Sequence, residues 1–354
     1  VGALTVTLDP SFNPLLLKDG RIHVMRSVNG GPAQREGESC FLIRRWDYAD
    51  DYTTITALHA NDLMRRRCIL YSGNNAAVSY VQVTAAKADD TIKTLWKQNA
   101  GSLVVENDRA VNDETGGLSP NQDISAYVST QANVSAAPNV SLWIPWRNLM
   151  DVIIEIENSS FLLGTYLTAE IVAPTESTLE LRTYTVIRGV DRRFSSGNGL
   201  LFTNNRGNLA NSILTNDATE EITFVSAIGS DGVGGIEGSF YRFAGTALAD
   251  NVGDDRVSES PLNRIESVYD DNDAPGDGTL TNDAKGALRA GRPRISAVGH
   301  LVETDQCLRG IHYNYGDLVT VQVQGVQYDM RLDQIDVTLT QGKEQTKAVF
   351  QYNG

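Results

Sequence analysis

The chain is poor in the residues that most often carry protein chemistry. It has 3 cysteines and 4 histidines in 354 residues. Cys40, Cys68 and Cys307 are odd in number and far apart, with no C-x-x-C pair, so neither a disulfide framework nor a zinc site is expected. His23, His59, His300 and His312 form no H-E-x-x-H or H-x-x-x-H group. His59 and His312 read as packed or surface residues, and pairing His59 with Cys68 as base and nucleophile has no motif around it. Positive charge is also in deficit. Lys and Arg total 30 against 44 Asp and Glu, a net charge of -14, which argues against wrapping nucleic acid by phosphate neutralisation. Long apolar runs are missing: Val152 to Ile156 is interrupted by Glu155, and nothing approaches the roughly 20 residues of a membrane span. The opening VGALTVTLDP shows no basic and then apolar leader, so a soluble protein made in a cytoplasm is expected.

What is present is alternation. Val319, Val321 and Val323 alternate with Thr320, Gln322 and Gln324, the period of a strand with one buried face. Gly325 permits a turn, after which Val326, Tyr328, Met330 and Leu332 continue on even positions. Ile335, Val337 and Leu339 then carry the pattern on odd ones. The phase slips near Asp333 and Gln334, where a β-bulge that bends a barrel wall is expected. Asn314, Tyr315 and Asp317 form a turn leading into this strand pair.

At this length more than one module is expected. The first sixty residues read as a β-meander: Leu4, Val6 and Leu8, then Ile22 and Val24 after an Asp19-Gly20 turn, then a Phe41–Tyr48 and Tyr52–Leu58 hairpin around Asp50-Asp51. Asn61 is expected to cap a short helix. Its Arg65, Arg66 and Arg67 are either a solvated face with internal carboxylate partners or a contact for an acidic subunit. Asp89 is expected to cap a helix with Ile92, Leu95, Trp96 and Asn99 on one side and Gly101 at its end. A loop over 108–138 follows. Pro145 is expected to open a second helix with a stripe of Leu149, Val152, Ile153 and Ile156. Strands return over 161–172 and 178–188, followed by strand, turn and strand over 199–229.

The glycine-rich 229–238 stretch fits no phosphate loop and reads as a flexible connection. Between Asp250 and Asp283 ten acidic residues face only Arg256 and Arg264, either a solvated loop region or a surface for a basic partner. Asp250, Asp254 and Asp255 resemble a calcium loop without its ligand pattern. Leu280, Ala284, Ala287 and Leu288 suggest a short helix ended by Gly291 and Pro293, and Ile295–Val302 a strand. Glu155 with Glu157 point in different directions on one helix, and Glu220 with Glu221 point to opposite faces of a strand. Neither pair supplies the acid and base of a glycosidase. No catalytic, cofactor or metal residue is assigned.

Four segments resemble the tail hub family of long-tailed (siphovirus) bacteriophages. They are FNPLLLKDGRIHVM with LHANDLMRRRCI, TYTVIRGVDRRF over 183–194, LLFTNNRGNLANSILTND around Gly207-Asn208-Leu209, and Tyr315-Gly316-Asp317-Leu318-Val319. The resemblance implies a mainly β fold with α+β insertions, shared with contractile-tail baseplate hubs and type VI secretion spikes. Its two related barrels carry smaller inserted domains. The first barrel is expected at 1–70 and 161–197 with an insertion at 71–160. The second is expected at 198–240 and 295–354 with an acidic, partly helical insertion at 241–294. It also implies a homotrimer at the virion tail tip, made in the host cytoplasm. Its partners would be the distal tail or tail tube protein, the tape-measure protein, and spike or receptor-binding subunits, with DNA only in transit. Like charge on the lumen would keep DNA from sticking. The alternatives are a virion cell-wall hydrolase, or a receptor or carbohydrate-binding tail protein using Trp143 or Trp146, which otherwise read as core anchors.

Overall fold

The computed structural model describes residues 2–28, 30–69, 80–104, 123–197, 199–230, 236–237, 265–271, 286–340 and 343–352. The chain is mainly β, with its sheets curled into half-barrels. It divides into two compact units, Val1–Ser160 with Tyr166–Thr185, and Phe161–Thr165 with Val186–Gly354. Asp250, Asp254, Asp255, Leu280 and Ala284 lie outside the described residues.

In the first unit, β1 (Ala3–Leu8), β2 (Arg21–Ile22), β5 (Phe41–Tyr48) and β6 (Thr53–His59) form one sheet in the order β1-β6-β5-β2. A meander would have paired β1 with β2. Instead β1 lies antiparallel on β6, with Leu4, Val6 and Leu8 opposite Ala57, Ile55 and Thr53. The alternation of β6 buries Thr53, Ile55, Ala57 and His59 on one face, and β1 extends that face with Leu4, Val6 and Leu8. A register shift between Ile43 and Arg45 bends the β5–β6 hairpin. The short pair β3 (Met25–Arg26) and β4 (Gln34–Arg35) stands beside it.

The helical part of this unit departs from the expected caps for one recurring reason: the side chains nominated as caps are engaged by distant backbone. Asn61 precedes α1 (Asp62–Arg65) but makes no capping bond; its Oδ1 accepts the Ile171 N–H at 2.7 Å. Arg66, the middle residue of the arginine cluster, pairs with Asp62 and Asp19, each at 2.8 Å. β7 (Tyr80–Lys87) pairs with β9 (Asn139–Pro145), and α2 (Ala88–Asn99) starts one residue before the nominated cap. Asp89 therefore sits within the first turn, fully buried, and accepts the N–H groups of Ala136 and Ala137 at 3.1 and 3.2 Å. Buried Lys93 donates to the Ala132 carbonyl at 2.9 Å and lies 3.7 Å from Asp90. Burial lowers its pKa, against the pull of Asp90 and Asp89.

Within the expected loop, β8 (Val128–Thr130) is a strand parallel to β11 (Leu179–Thr185), which pairs antiparallel with β10 (Leu167–Val172). Pro145 ends β9 instead of opening a helix. α3 (Leu149–Leu162) begins after Asn148, whose Oδ1 accepts the Met150 N–H at 3.0 Å. The helix runs past the expected strand start at residue 161. Its stripe of Leu149, Val152, Ile153 and Ile156 is fully buried, as its spacing requires.

In the second unit a six-stranded sheet runs β12-β18-β19-β20-β17-β13. Its strands are Leu201–Thr203, Leu318–Val323, Val326–Thr340, Lys343–Gln351, Arg294–Leu301 and Leu209–Asp217 in that order. Gln324 and Gly325, with φ of +51° and +84°, make the two-residue turn between β18 and β19. The register of β19 on β20 shifts between Leu332 and Gln334, leaving Asp333 as the extra residue at the expected bulge. Phe202, Tyr313 and Phe350 fill the core beneath, with ring centroids 5.2 and 5.5 Å apart. Burying such aromatics contributes about 2–3 kcal/mol each.

A smaller sheet pairs β14 (Phe224–Ser230) with β15 (Ile236–Glu237) and, in parallel, with β16 (Glu266–Asp271). The glycine-rich stretch is thus partly strand, and so is the acidic one. Glu220 and Glu221 fall in the turn before β14, not in a strand. A helical turn at 286–290 ends at Gly291, whose N–H donates to Ala287. Among the described residues no helix is long and apolar enough to cross a membrane.

Candidate functional site

Two of the four segments singled out in the sequence meet in the second unit. β11 ends at Thr185 and the chain passes through Val186 at φ +73°, a conformation that a β-branched side chain resists. It then runs alongside the start of β18. The Gly189 N–H donates to the Gly316 carbonyl at 3.1 Å, the Leu318 N–H to Val190 at 3.1 Å, and the Arg192 N–H to Leu318 at 2.9 Å. Asp191 bridges Leu318 in parallel sense, and β12 continues the same parallel pairing a few residues later. The Gly-Val-Asp-Arg segment is therefore a strand-like extension of the β18 edge.

Asp317 is the centre of this junction and only 1% exposed. Its Oδ1 accepts the Val190 N–H at 2.7 Å. Its Oδ2 accepts the Asn314 N–H at 2.8 Å and Arg192 Nε at 2.8 Å. A buried carboxylate is tolerated only when paired and hydrogen-bonded, and here both oxygens are used. The Asn314 bond, with Gly316 at φ +86°, closes the turn that leads into β18. Gly189 is required by close approach: a Cβ there would lie 2.2 Å from Asp317 Oδ1 and 2.5 Å from its backbone nitrogen. Arg188 donates to the Tyr315 carbonyl at 2.9 Å and stacks 4.5 Å from that ring's centroid.

The polar network extends outward along one strand face. Arg193 forms a two-bond pair with Asp191, which holds the Asp191 carboxyl well below the usual range, at about 2. The Phe194 N–H and Ser195 hydroxyl donate to Thr320 and Asp329, at 2.9 and 2.7 Å. Every group here has a structural partner, and the arrangement clamps a crossover segment to a sheet.

The third segment does a related task. Asn208, 5% exposed, donates through Nδ2 to the Leu201 carbonyl and accepts the Thr203 N–H through Oδ1, both at 2.9 Å. β12 and β13 are the end strands of the sheet, and this amide joins them where no backbone ladder does. Gly207 at φ +71° makes the preceding turn.

The remaining candidates are dispersed. His59 is buried against Phe41, accepts the Asn61 N–H at 3.3 Å and lies 3.7 Å from Glu170; His312 accepts the Leu308 N–H at 2.9 Å. Glu155 pairs with Arg147 at 2.6 Å, while Glu157 accepts the Ala169 N–H at 2.6 Å and is pushed by burial up to about 7. Trp146 is 62% exposed and is not a core anchor. Trp143 contributes its backbone to the β7–β9 ladder. Among the described residues, no three His, Cys, Asp or Glu side chains are grouped to hold a metal ion.

The fold is similar to that of phage tail proteins of known structure. The chain is similar in fold to a tail protein from Neisseria meningitidis MC58, with a TM-score of 0.55 at 14% identity over 99% of this chain and 87% of that one. It is likewise similar to the 43 kDa tail protein of prophage MuSo2 from Shewanella oneidensis, with a TM-score of 0.51 at 10% identity over 99% of this chain and 94% of that one. No protein-family model and no curated protein sequence matches the chain.

Proposed function

We propose that this chain is a structural subunit of a bacteriophage tail: a homotrimeric hub at the tail tip that closes the tube, joins it to the tip subunits and opens for DNA passage. The observation that carries the reading is a likeness of fold to two tail proteins that runs through 99% of the chain, both units included. The buried polar chemistry supports it as well. The groups around Asp317 and Asn208 are consumed in holding strands together, as a load-transmitting ring subunit requires.

In this reading two related barrels, each with an insertion, lie in every subunit. The partners are the distal tail or tube protein, the tape-measure protein, and spike or receptor-binding subunits. DNA passes without specific binding, which suits a net charge of -14. No catalytic step is assigned. Scattering or mass measurement on the purified chain tests the assembly: a trimer, or a monomer that trimerises only on its neighbours, is expected, and a stable dimer with a deep acidic cleft would count against it.

A further inference from the structure

The first segment of the family resemblance, Phe12 to Met25, has no part in the junction described above, and its apolar side chains are on the wrong side for a core. After β1 the chain forms a 3-10 helix, Pro10–Leu15, started by Asp9, whose carboxylate accepts the Ser11 N–H at 2.9 Å. Asn13 is tied to Thr53 at 2.7 Å. The segment then crosses from the β1 edge to β5, where Asp19 and Gly20 bond to Ile43, each at 3.0 Å. It therefore lies over the face that holds Leu8, Thr53 and their cross-strand neighbour Tyr48. None of its residues is buried. Phe12 is 48% exposed, Leu15 71%, Leu17 67% and Tyr48 62%, with Tyr52 at 50% in the adjoining turn.

The Asn13–Thr53 bond draws Phe12 and Leu15 toward the sheet end that carries Tyr48 and Tyr52, with Leu17 further along near Ile43, and this run of exposed apolar side chains marks a contact site. The rim says what it contacts. Asp9, Asp47, Asp50 and Asp51 adjoin these residues in the chain, against Lys18 and Arg45 as the neighbouring cations, and Asp47 is paired with Arg45 at 2.9 Å. Among the described residues no ion pair forms on Asp9, Asp50 or Asp51. We propose that the Phe12–Leu17 and Tyr48–Tyr52 surface docks a different protein, one that presents apolar side chains ringed by lysine or arginine. A second copy related by a twofold would bring carboxylates onto carboxylates, which disfavours an isologous contact, and a copy related by a threefold is tested by the sedimenting mass below. The inference rests on this surface alone and stands whether or not the chain is a tail subunit.

The test uses the full chain and an amphipathic peptide of leucine and lysine as the probe, followed by calorimetry at low and high salt. One site is expected, weakening roughly tenfold or more as salt screens the rim. Leu15→Ser with Leu17→Ser, and separately Phe12→Ser, should each weaken it by roughly tenfold, as expected for apolar anchors. Asp50→Asn with Asp51→Asn should abolish most of the salt dependence. All three variants alter exposed residues, and circular dichroism verifies that they fold. Equal binding by wild type and variants, or equal binding of a leucine and glutamate peptide, overturns the proposal. So does a fall in the chain's own sedimenting mass on Leu15→Ser with Leu17→Ser, which would assign the patch to self-association.

Discussion

Removing the Asp317 carboxylate is the sharpest perturbation of this fold. In Asp317→Ala the Val190 and Asn314 N–H groups lose their acceptor inside a junction whose centre is 1% exposed, and Arg192 loses its counter-charge. Each buried N–H left without an acceptor costs about 1–3 kcal/mol. Breaking one side of a buried pair costs about 3–5 kcal/mol in all. Arg192 is partly exposed and can turn to water, so the total expected is about 3–5 kcal/mol. Asp317→Asn is no rescue. One carboxylate oxygen serves Val190 and the other serves Asn314 and Arg192, so an amide nitrogen in either place faces a donor. Urea unfolding followed by far-ultraviolet circular dichroism reads the effect as a midpoint lowered by roughly 1–2 M, for a slope of about 2–3 kcal/mol per molar. Tryptophan fluorescence is an internal control, because Trp46, Trp96, Trp143 and Trp146 all lie in the first unit. A midpoint for Asp317→Ala within about 0.2 M of wild type, against that slope, would refute the argument.

Three other outcomes follow from particular groups. Glu157 is raised by burial from 4.5 to about 7, so the folded state holds its proton where the unfolded state has lost it. Stability from this group is full below pH 4.5 and is lost as pH rises to about 7, and Glu157→Gln should remove that slope and stabilise the protein at pH 8 by up to about 3 kcal/mol, read by denaturation at several pH values. Cys40 and Cys307 are buried, with Cys307 pushed up to about 11, while Cys68 is exposed; iodoacetamide on the native protein should add one label, at Cys68, by mass spectrometry. Val186→Gly should relieve the positive φ and raise the thermal midpoint, a gain of about 1 kcal/mol.

Local pattern made some of this legible. The slip between Leu332 and Ile335 announced the bulge at Asp333, because a strand's period is strictly two and one extra residue shows. The Phe41–Leu58 hairpin and the buried stripe of α3 were legible for the same reason of period. Non-local competition hid the rest. Asn61 and Asp89 carry capping side chains, but residues 110 and 47 positions away in the chain claimed them. β1 reached across to β6, a pairing no turn signal announces, and β8 is too short to show a period. The two motifs joined at Asp317 stood out separately. Their union depends on hydrogen bonds spanning 125 to 127 residues, which alternation cannot encode.

The location of the protein in an assembled particle tests the central claim most directly. Electron microscopy of phage or prophage tails carrying this chain should find density for three copies around the axis at the tail tip. Its absence from the tip, or a copy number incompatible with threefold symmetry, would contradict the account.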